Sequence, residues 1–378
     1  MRWRRMGALH VVGEPRVSSF QQNQFAAATA GVKNGGHGPV VEEIHGLIRV
    51  YTDGHVERLP AIPNVPCTWG STAPGAPGGV AARDVVVDRA TGVWARLYAP
   101  VTAAVGSAEA ARLPVVVYFH GGGFCVGSAA WSCYHEFLAQ LAERACCAVM
   151  SVDYRLAPEH RLPAAFDDGL AALRWLRHQA AAASAHDDAS WWRARCDFGR
   201  VFLMGDSAGA SIAFHVAARV GQGHLGAPLG PHQLAIRGAV LVQPFFGGEA
   251  RTASEKTMAQ PPRSALTLPT SDCYWRLALP SGGGAGRDHP WCNPVSSRGA
   301  PRLEALPLPP LLVCVSEADI LRDRNLELCR ALRRAGKSVE QAVYGGVGHA
   351  FQVLHNCHLS QPRTQEMLAH VRAFINGR

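Results

Sequence analysis

The sequence predicts an α/β fold built around a mostly parallel sheet, and three observations carry that prediction. Short apolar runs at 114–119, 146–152, 200–204, 238–242, 310–315 and 339–344 have the length and β-branched content of buried strands. Amphipathic stretches such as "YHEFLAQLAERA", "AAFDDGLAALRWLRHQ" and "ASIAFHVAARV" lie between them, and strands alternating with helices build right-handed βαβ units. Two leading hairpins, "EEIHGLIRVYTDGHVERLP" turning at Asp53-Gly54 and "ARDVVVDRATGVWARLYAP" turning at Thr91-Gly92, are expected to supply an antiparallel edge to that sheet.

The elements follow in order. Residues 1–38 carry Arg2, Arg4, Arg5, Arg16 and Lys33 against Glu14 alone, a net +4 that is half of the chain's +8. This segment reads as a disordered extension or an over-long start with the true one at Met6 or later; an organellar transit peptide is the other reading. One domain, 39–378, follows it. "LRDRNLELCRALRRAG" after the fifth run is a helix ending on a glycine stop. Between Val242 and Pro310 the alternation breaks in a stretch rich in Pro, Gly, Phe and Trp. A structureless connection of that length is improbable inside a compact domain, so 244–300 is expected to be an inserted cap. With 40–70 it should roof the site.

Composition removes several function classes. At 378 residues, with 48% hydrophobic and 17% charged residues, the chain has the make-up of a soluble globular protein able to bury a large core. No apolar run approaches a membrane span. Beyond the N-terminal segment the arginines are scattered among acids, without the basic stripe of a nucleic-acid binder. The eleven cysteines form no CxxC and several lie in apolar runs, which reads as free thiols in a reducing compartment. "HNCH" at 355–358 has no second ligand pair at suitable spacing, so no metal is expected.

The chemistry begins in "VVVYFHGGGFCVGS" (115–128), where a buried-strand pattern runs into a histidine and three glycines. Glycine there gives up backbone entropy for φ freedom or a close approach to the main chain. Downstream, "RVFLMGDSAGASIAFHVAARV" (200–220) sets Gly205-Asp206-Ser207-Ala208-Gly209 between a strand and a helix, the context in which Gly-x-Ser-x-Gly exposes a nucleophile. A serine hydroxyl needs a base, and "VEQAVYGGVGHAF" offers His349 after the last strand. The imidazole needs a carboxylate. "LLVCVSEADILRDRN" offers Asp319 just past a strand tip, with Glu317 as the alternative and Asp323 assigned to helix N-terminal electrostatics. Acyl transfer builds charge on the former carbonyl oxygen, so the amides of Gly122, Gly123 and Ala208 are the expected donors. Gly121 would shape the turn and His120 hold the loop. His215, inside a helix, reads as a packed or surface residue.

Phe245 and Phe246 follow the C-terminal end of a parallel strand, where α/β sheets bind ligands, and Phe124 leaves the glycine loop on the same side. These three, with Ala350 and Phe351 beside His349, are the expected substrate contacts. Leu47, Ile48, Tyr51, Trp69, Tyr274, Trp275 and Trp291 add to an apolar cleft suited to a compact hydrophobic ester.

The motifs "HGGGF", "DYRLAPEHRLPAAFDD", "GDSAG", "FFGGEARTASE", "YWRLALPSGGGAGRDHPWCNP", "LRDR" and "GHAF" together resemble the plant class I carboxylesterases, in the hormone-sensitive-lipase-like branch of the α/β-hydrolases. The resemblance covers residues 40–378. It implies an eight-stranded, mostly parallel sheet, carboxylic-ester hydrolysis without cofactor or metal, a cytoplasmic or also nuclear location, and a monomer or homodimer. Within the group the pattern is most similar to the strigolactone-hydrolysing type. Two relatives supply alternatives: the gibberellin receptors, which resemble an esterase without its histidine, and 2-hydroxyisoflavanone dehydratase. "DYRLAPE" is expected to brace the glycine loop through Asp153, Arg155 and Glu159.

Overall fold

The computed structural model describes residues 36–67, 79–101, 112–182, 187–226, 234–260, 264–282, 286–296 and 302–377. Residues 1–35 of the expected extension, and Trp69, lie outside them.

The main sheet has eight strands, and its centre is the apolar run 113–119. This is β6 (Leu113–Phe119), every residue of which is buried, as a strand covered on both faces requires. In chain order the sheet comprises β4 (Val80–Asp88), β5 (Val93–Pro100), β6, β7 (Ala148–Asp153), β8 (Cys196–Asp206), β9 (Ile236–Val242), β10 (Leu311–Ser316) and β11 (Val339–Tyr344). Their spatial order is β11-β10-β9-β8-β6-β7-β5-β4. Five neighbouring pairs, from β11 to β7, are parallel, and β7-β5 and β5-β4 are antiparallel.

Only the second leading hairpin therefore joins the sheet. The first forms a separate three-stranded sheet of β1 (Val40–Ile44), β2 (Ile48–Tyr51) and β3 (Val56–Arg58). Its first arm, expected as one strand through 42–51, is cut in two at Gly46, whose φ of +75° folds β1 back on β2 with Ile44 opposite Ile48.

Helices cover both faces. On one, α2 (Ala164–Ala181), α4 (Ala208–Gly221) and α7 (Arg322–Arg334) bury Phe166, Leu173, Phe214, Leu328 and their neighbours. On the other, α1 (Ser132–Ala145) packs with α9 (Ser360–Asn376). In α9 the buried Met367, Leu368, Val371, Phe374 and Ile375 recur at helical spacing. Short α3 (Ser190–Arg193) and α8 (Phe351–Leu354) complete the layers.

The insertion after β9 contains α5 (Ala253–Thr257) and α6 (Leu268–Ala278). A reciprocal Thr252–Glu255 capping box starts α5, and Thr267 with Pro269 starts α6. Glu255 also forms a buried ion pair with Arg324 of α7 (2.9 Å), and Asp323 Oδ2 accepts from Ser254 N (2.7 Å). Asp323 thus serves the start of α5 as well as the first turn of its own helix. Among the described residues no helix is long and apolar enough to cross a membrane, and no cluster of three or more His, Cys, Asp or Glu could hold a metal.

Candidate active site

The carboxyl ends of β6, β8, β9, β10 and β11 converge, and each is followed by a residue the sequence singled out. Ser207 follows β8 at φ +53°, ψ −119°, a conformation that a residue with a Cβ adopts only under constraint. Glycine on both sides makes the turn feasible. A Cβ on Gly209 would overlap the Phe119 carbonyl, and one on Gly205 would run into Gly209 itself. Ser207 N donates to Val242 O (2.8 Å), and Phe245 N donates to Ser207 O (3.0 Å), so the elbow is fastened to the end of β9.

His349 Nε2 stands 2.8 Å from Ser207 Oγ, and its Nδ1 stands 2.7 Å from Asp319 Oδ2. With Nδ1–H donated to the carboxylate, Nε2 is left to accept the serine proton. All three residues are buried; Ser207 keeps 6% exposure and His349 5%. Burial opposes a charged imidazole, but the Asp319 carboxylate outweighs it and raises the His349 pKa above the ordinary value. Asp319 is itself oriented by Leu321 N, which donates to Oδ1 (3.0 Å). Glu317 is not at this centre. It is exposed, and its Oε2 accepts from Gly346 N (2.9 Å), bracing the loop that leads to His349.

The glycine loop after β6 lies against this serine. Among the described residues no protein acceptor takes the N–H of Gly122, Gly123 or Ala208. Both gains expected of the glycines, φ freedom and a close approach, are present, and the groups that approach belong to the protein itself. Gly122 (φ +111°) and Gly123 (φ +59°) need left-handed backbone, and Cβ atoms there would overlap the Val126 carbonyl and the Tyr274 ring. Glycine clears the protein's own atoms. Gly121 N donates to Tyr134 Oη (2.8 Å), and Tyr134 Oη donates to Asp206 Oδ2 (3.2 Å). Asp206 Oδ1 accepts from Tyr118 Oη (2.6 Å). The residue next to the serine therefore holds the loop through Tyr134. Burial raises the Asp206 carboxyl pKa, with the two tyrosine hydroxyls pulling the other way.

His120 does hold the loop. It is buried, stacks on Tyr154 (4.3 Å, 18°), and its Nδ1 donates to Gly121 O (2.7 Å). Tyr154 Oη donates to His120 O (2.8 Å). Of the expected braces, Asp153 acts on the loop's far end through Ala129 N (2.7 Å). Glu159 acts through Arg58, whose Nε donates to Cys125 O (2.7 Å). Arg155 does not: it is paired with Asp168 of α2 (2.7 Å). Tyr134, Tyr154 and Arg58 were not legible as parts of this site.

A family model described as alpha/beta hydrolase fold matches residues 116–353. This chain belongs to the α/β-hydrolase family. It is 46% identical to a probable carboxylesterase 6 of Arabidopsis thaliana, over 90% of this chain and 93% of that protein. It is 34% identical to a 2-hydroxyisoflavanone dehydratase of Glycyrrhiza echinata, over 88% and 95%. Among solved structures, a fungal esterase from Rhizomucor miehei superposes with a TM-score of 0.64 at 27% identity, covering 80% of this chain and 84% of that one.

In this α/β-hydrolase the expected substrate contacts separate into groups. Phe124 and Phe245 lie together with Trp275, which stacks on Phe245 (4.8 Å, 7°). Phe246 instead packs edge-on against Phe214 and His215, behind α4. Ala350 and Phe351 fall in the core on the α1–α9 face, Phe351 against Tyr344 (5.7 Å). His215 is a packed residue: burial pushes its pKa down to about 3, and Nε2 contacts Trp291 O (3.2 Å). The segment 40–67 and the insertion after β9 touch each other, and the first also touches α1. Arg276 of α6 pairs with Glu42 of β1 (2.8 Å), and Ser132 N donates to Pro63 O (2.9 Å). A cavity of about 540 Å³ lined by Arg161, Asp272, Trp275, Arg276, Arg287 and His289 among others shares no lining residue with the Ser207–His349 pair.

Proposed function

We propose that this chain is a serine carboxylesterase acting through an acyl-enzyme. One observation carries the reading: a serine in a strained strand-to-helix turn lies 2.8 Å from an imidazole that is itself 2.7 Å from a buried carboxylate. Ser207 Oγ attacks the ester carbonyl while His349 Nε2 takes its proton, and Asp319 stabilises the imidazolium. The Gly122, Gly123 and Ala208 amides receive the oxyanion. His349 returns the proton to the departing alcohol; water then repeats the sequence on the acyl-serine and releases the acid.

The apolar group of Phe124, Phe245, Tyr274 and Trp275 supports a compact hydrophobic substrate, with 40–70 and 244–300 as the lid. A plant metabolite or hormone ester is the proposed class, strigolactones being the example the motif resemblance supplies. The dehydratase among the relatives favours elimination as a second reading. A seated His349 weighs against a receptor without turnover. All eleven cysteines are unpaired thiols, which supports a cytoplasmic location.

The test is turnover of p-nitrophenyl acetate and butyrate by wild type and Ser207→Ala, with mass spectrometry for the acyl adduct on Ser207. Loss of turnover and adduct in the variant is expected. A Ser207→Ala protein that keeps most of the wild-type kcat refutes the assignment, and a panel including 2-hydroxyisoflavanones separates ester hydrolysis from elimination.

A further inference from the structure

Gln243 is a buried polar residue that the hydrolytic reading has not used. It follows β9, is fully buried, and takes a φ of +48°, a left-handed conformation unfavourable for any residue with a Cβ. A glutamine held there needs strong local bonds. Its Oε1 accepts from Ala350 N (2.7 Å), its Nε2 donates to Ser316 Oγ (2.5 Å), and its main-chain N donates to Cys314 O (2.8 Å). Because Ala350 N can only donate, the amide has one workable orientation, with oxygen toward Ala350. The next carbonyl, Pro244 O, is tied from α7 by Asn325 Nδ2 (2.8 Å).

The two segments it bonds lead to the base and the acid of the proposed triad, and its own strand holds the turn of the third member. Ala350 is the residue after His349. Ser316 ends β10, the strand that leads to Asp319. Val242, immediately before Gln243, accepts the amide of Ser207. One side-chain amide thus joins the peptide behind the base to the strand ends behind the nucleophile and the acid.

We propose that Gln243 is a positioning residue, fixing where His349 stands relative to Ser207 by clamping the Ala350 peptide to the ends of β9 and β10. This rests on the hydrolytic reading above. A displaced imidazole loses its alignment with Ser207 Oγ, and a misplacement of about 1 Å can cost on the order of 100-fold in rate. Substrate binding does not pass through this amide, so the loss falls on kcat and spares KM.

The experiment compares wild type, Gln243→Met, Gln243→Glu and Ser207→Ala on p-nitrophenyl acetate, with thermal melts to confirm folding. Gln243→Met keeps the volume and removes both bonds; kcat should fall about 10- to 100-fold with KM within about 3-fold. Gln243→Glu keeps an acceptor facing Ala350 N and should recover much of that loss. A folded Gln243→Met with kcat within about 2-fold of wild type, or with its whole deficit in KM, overturns the proposal. If Gln243→Met does not fold, Ser316→Ala frees the amide at its other end; a several-fold kcat loss supports the proposal and parity overturns it. Ser207→Ala separates the two readings. If it is inactive while Gln243→Met matches wild type, only the positioning role falls; if it is active, the hydrolytic reading and this one fall together.

Discussion

Replacing Asp319 by asparagine perturbs one contact, the 2.7 Å bond to His349 Nδ1, and leaves the shape of the site almost unchanged. Its cost can be worked from that contact. A carboxylate and an imidazolium with charge centres about 4 Å apart interact by about 4 kcal/mol at an effective dielectric of about 20. That is about three decades of rate. Asparagine can also present N–H to the ring and select the wrong tautomer, which takes losses of this kind to about 10⁴-fold. The pH profile gives an independent reading. Activity requires neutral His349 Nε2 and fades as pH falls through the imidazolium pKa. Asp319 raises that pKa above the ordinary 6.5, so the wild-type acid limb of kcat/KM should lie above that value. In Asp319→Asn burial acts unopposed by this charge, and the limb should move to lower pH as the plateau drops. Stopped or continuous p-nitrophenyl ester assays across pH 5–9 measure both. Glu317→Gln, on an exposed carboxylate that only braces Gly346, should leave kcat nearly unchanged. If Asp319→Asn keeps kcat within tenfold of wild type, or if Glu317→Gln takes the loss instead, the carboxylate has been misassigned.

Three further outcomes are expected. Tyr134→Phe strips the hydroxyl between Gly121 N and Asp206, stranding a buried amide at a cost of about 1–3 kcal/mol, measurable by urea unfolding. Gly123→Ala drives a Cβ into the Tyr274 ring at φ +59°, so kcat should drop about 10²- to 10³-fold as the donor amide shifts; unchanged kcat would show that this amide is no donor. Deleting residues 1–38 should leave kcat/KM unchanged. Deleting through residue 70 removes the small sheet and the Arg58 brace on Cys125 O, and should raise KM or abolish activity; normal hydrolysis of bulky esters by that truncation would show that the segment is no lid.

Ser207, Asp319 and His349 could be read from the sequence because the chemistry demands those residue types at strand ends, and strand ends are visible as apolar runs breaking into glycine and acid. What supports them was hidden for a definite reason. Arg58 reaches Cys125 and Glu159 across 67 and 101 residues of chain, and no periodicity encodes which distant arginine will arrive. Tyr134 and Tyr154 look like ordinary aromatic residues of a helix and a loop until the fold brings their hydroxyls to Gly121 N and His120 O. Alternation predicts strands but not their partners, so the first hairpin was assigned to the wrong sheet. It also fails beyond a strand's end: Phe245 and Phe246 are neighbours in sequence, yet one stacks on Trp275 and the other on the α4 side.

The Asp206–Tyr134–Gly121 linkage ties the serine turn to the donor loop without passing through His349, which arrives on its own loop and is held by its own contacts. That linkage does not depend on His349. Exchanging His349 for an inert residue would forfeit the proposed proton transfer and leave the Asp206–Tyr134–Gly121 linkage in place. The exchange is not free for the fold, because it leaves the buried Asp319 carboxylate without its partner.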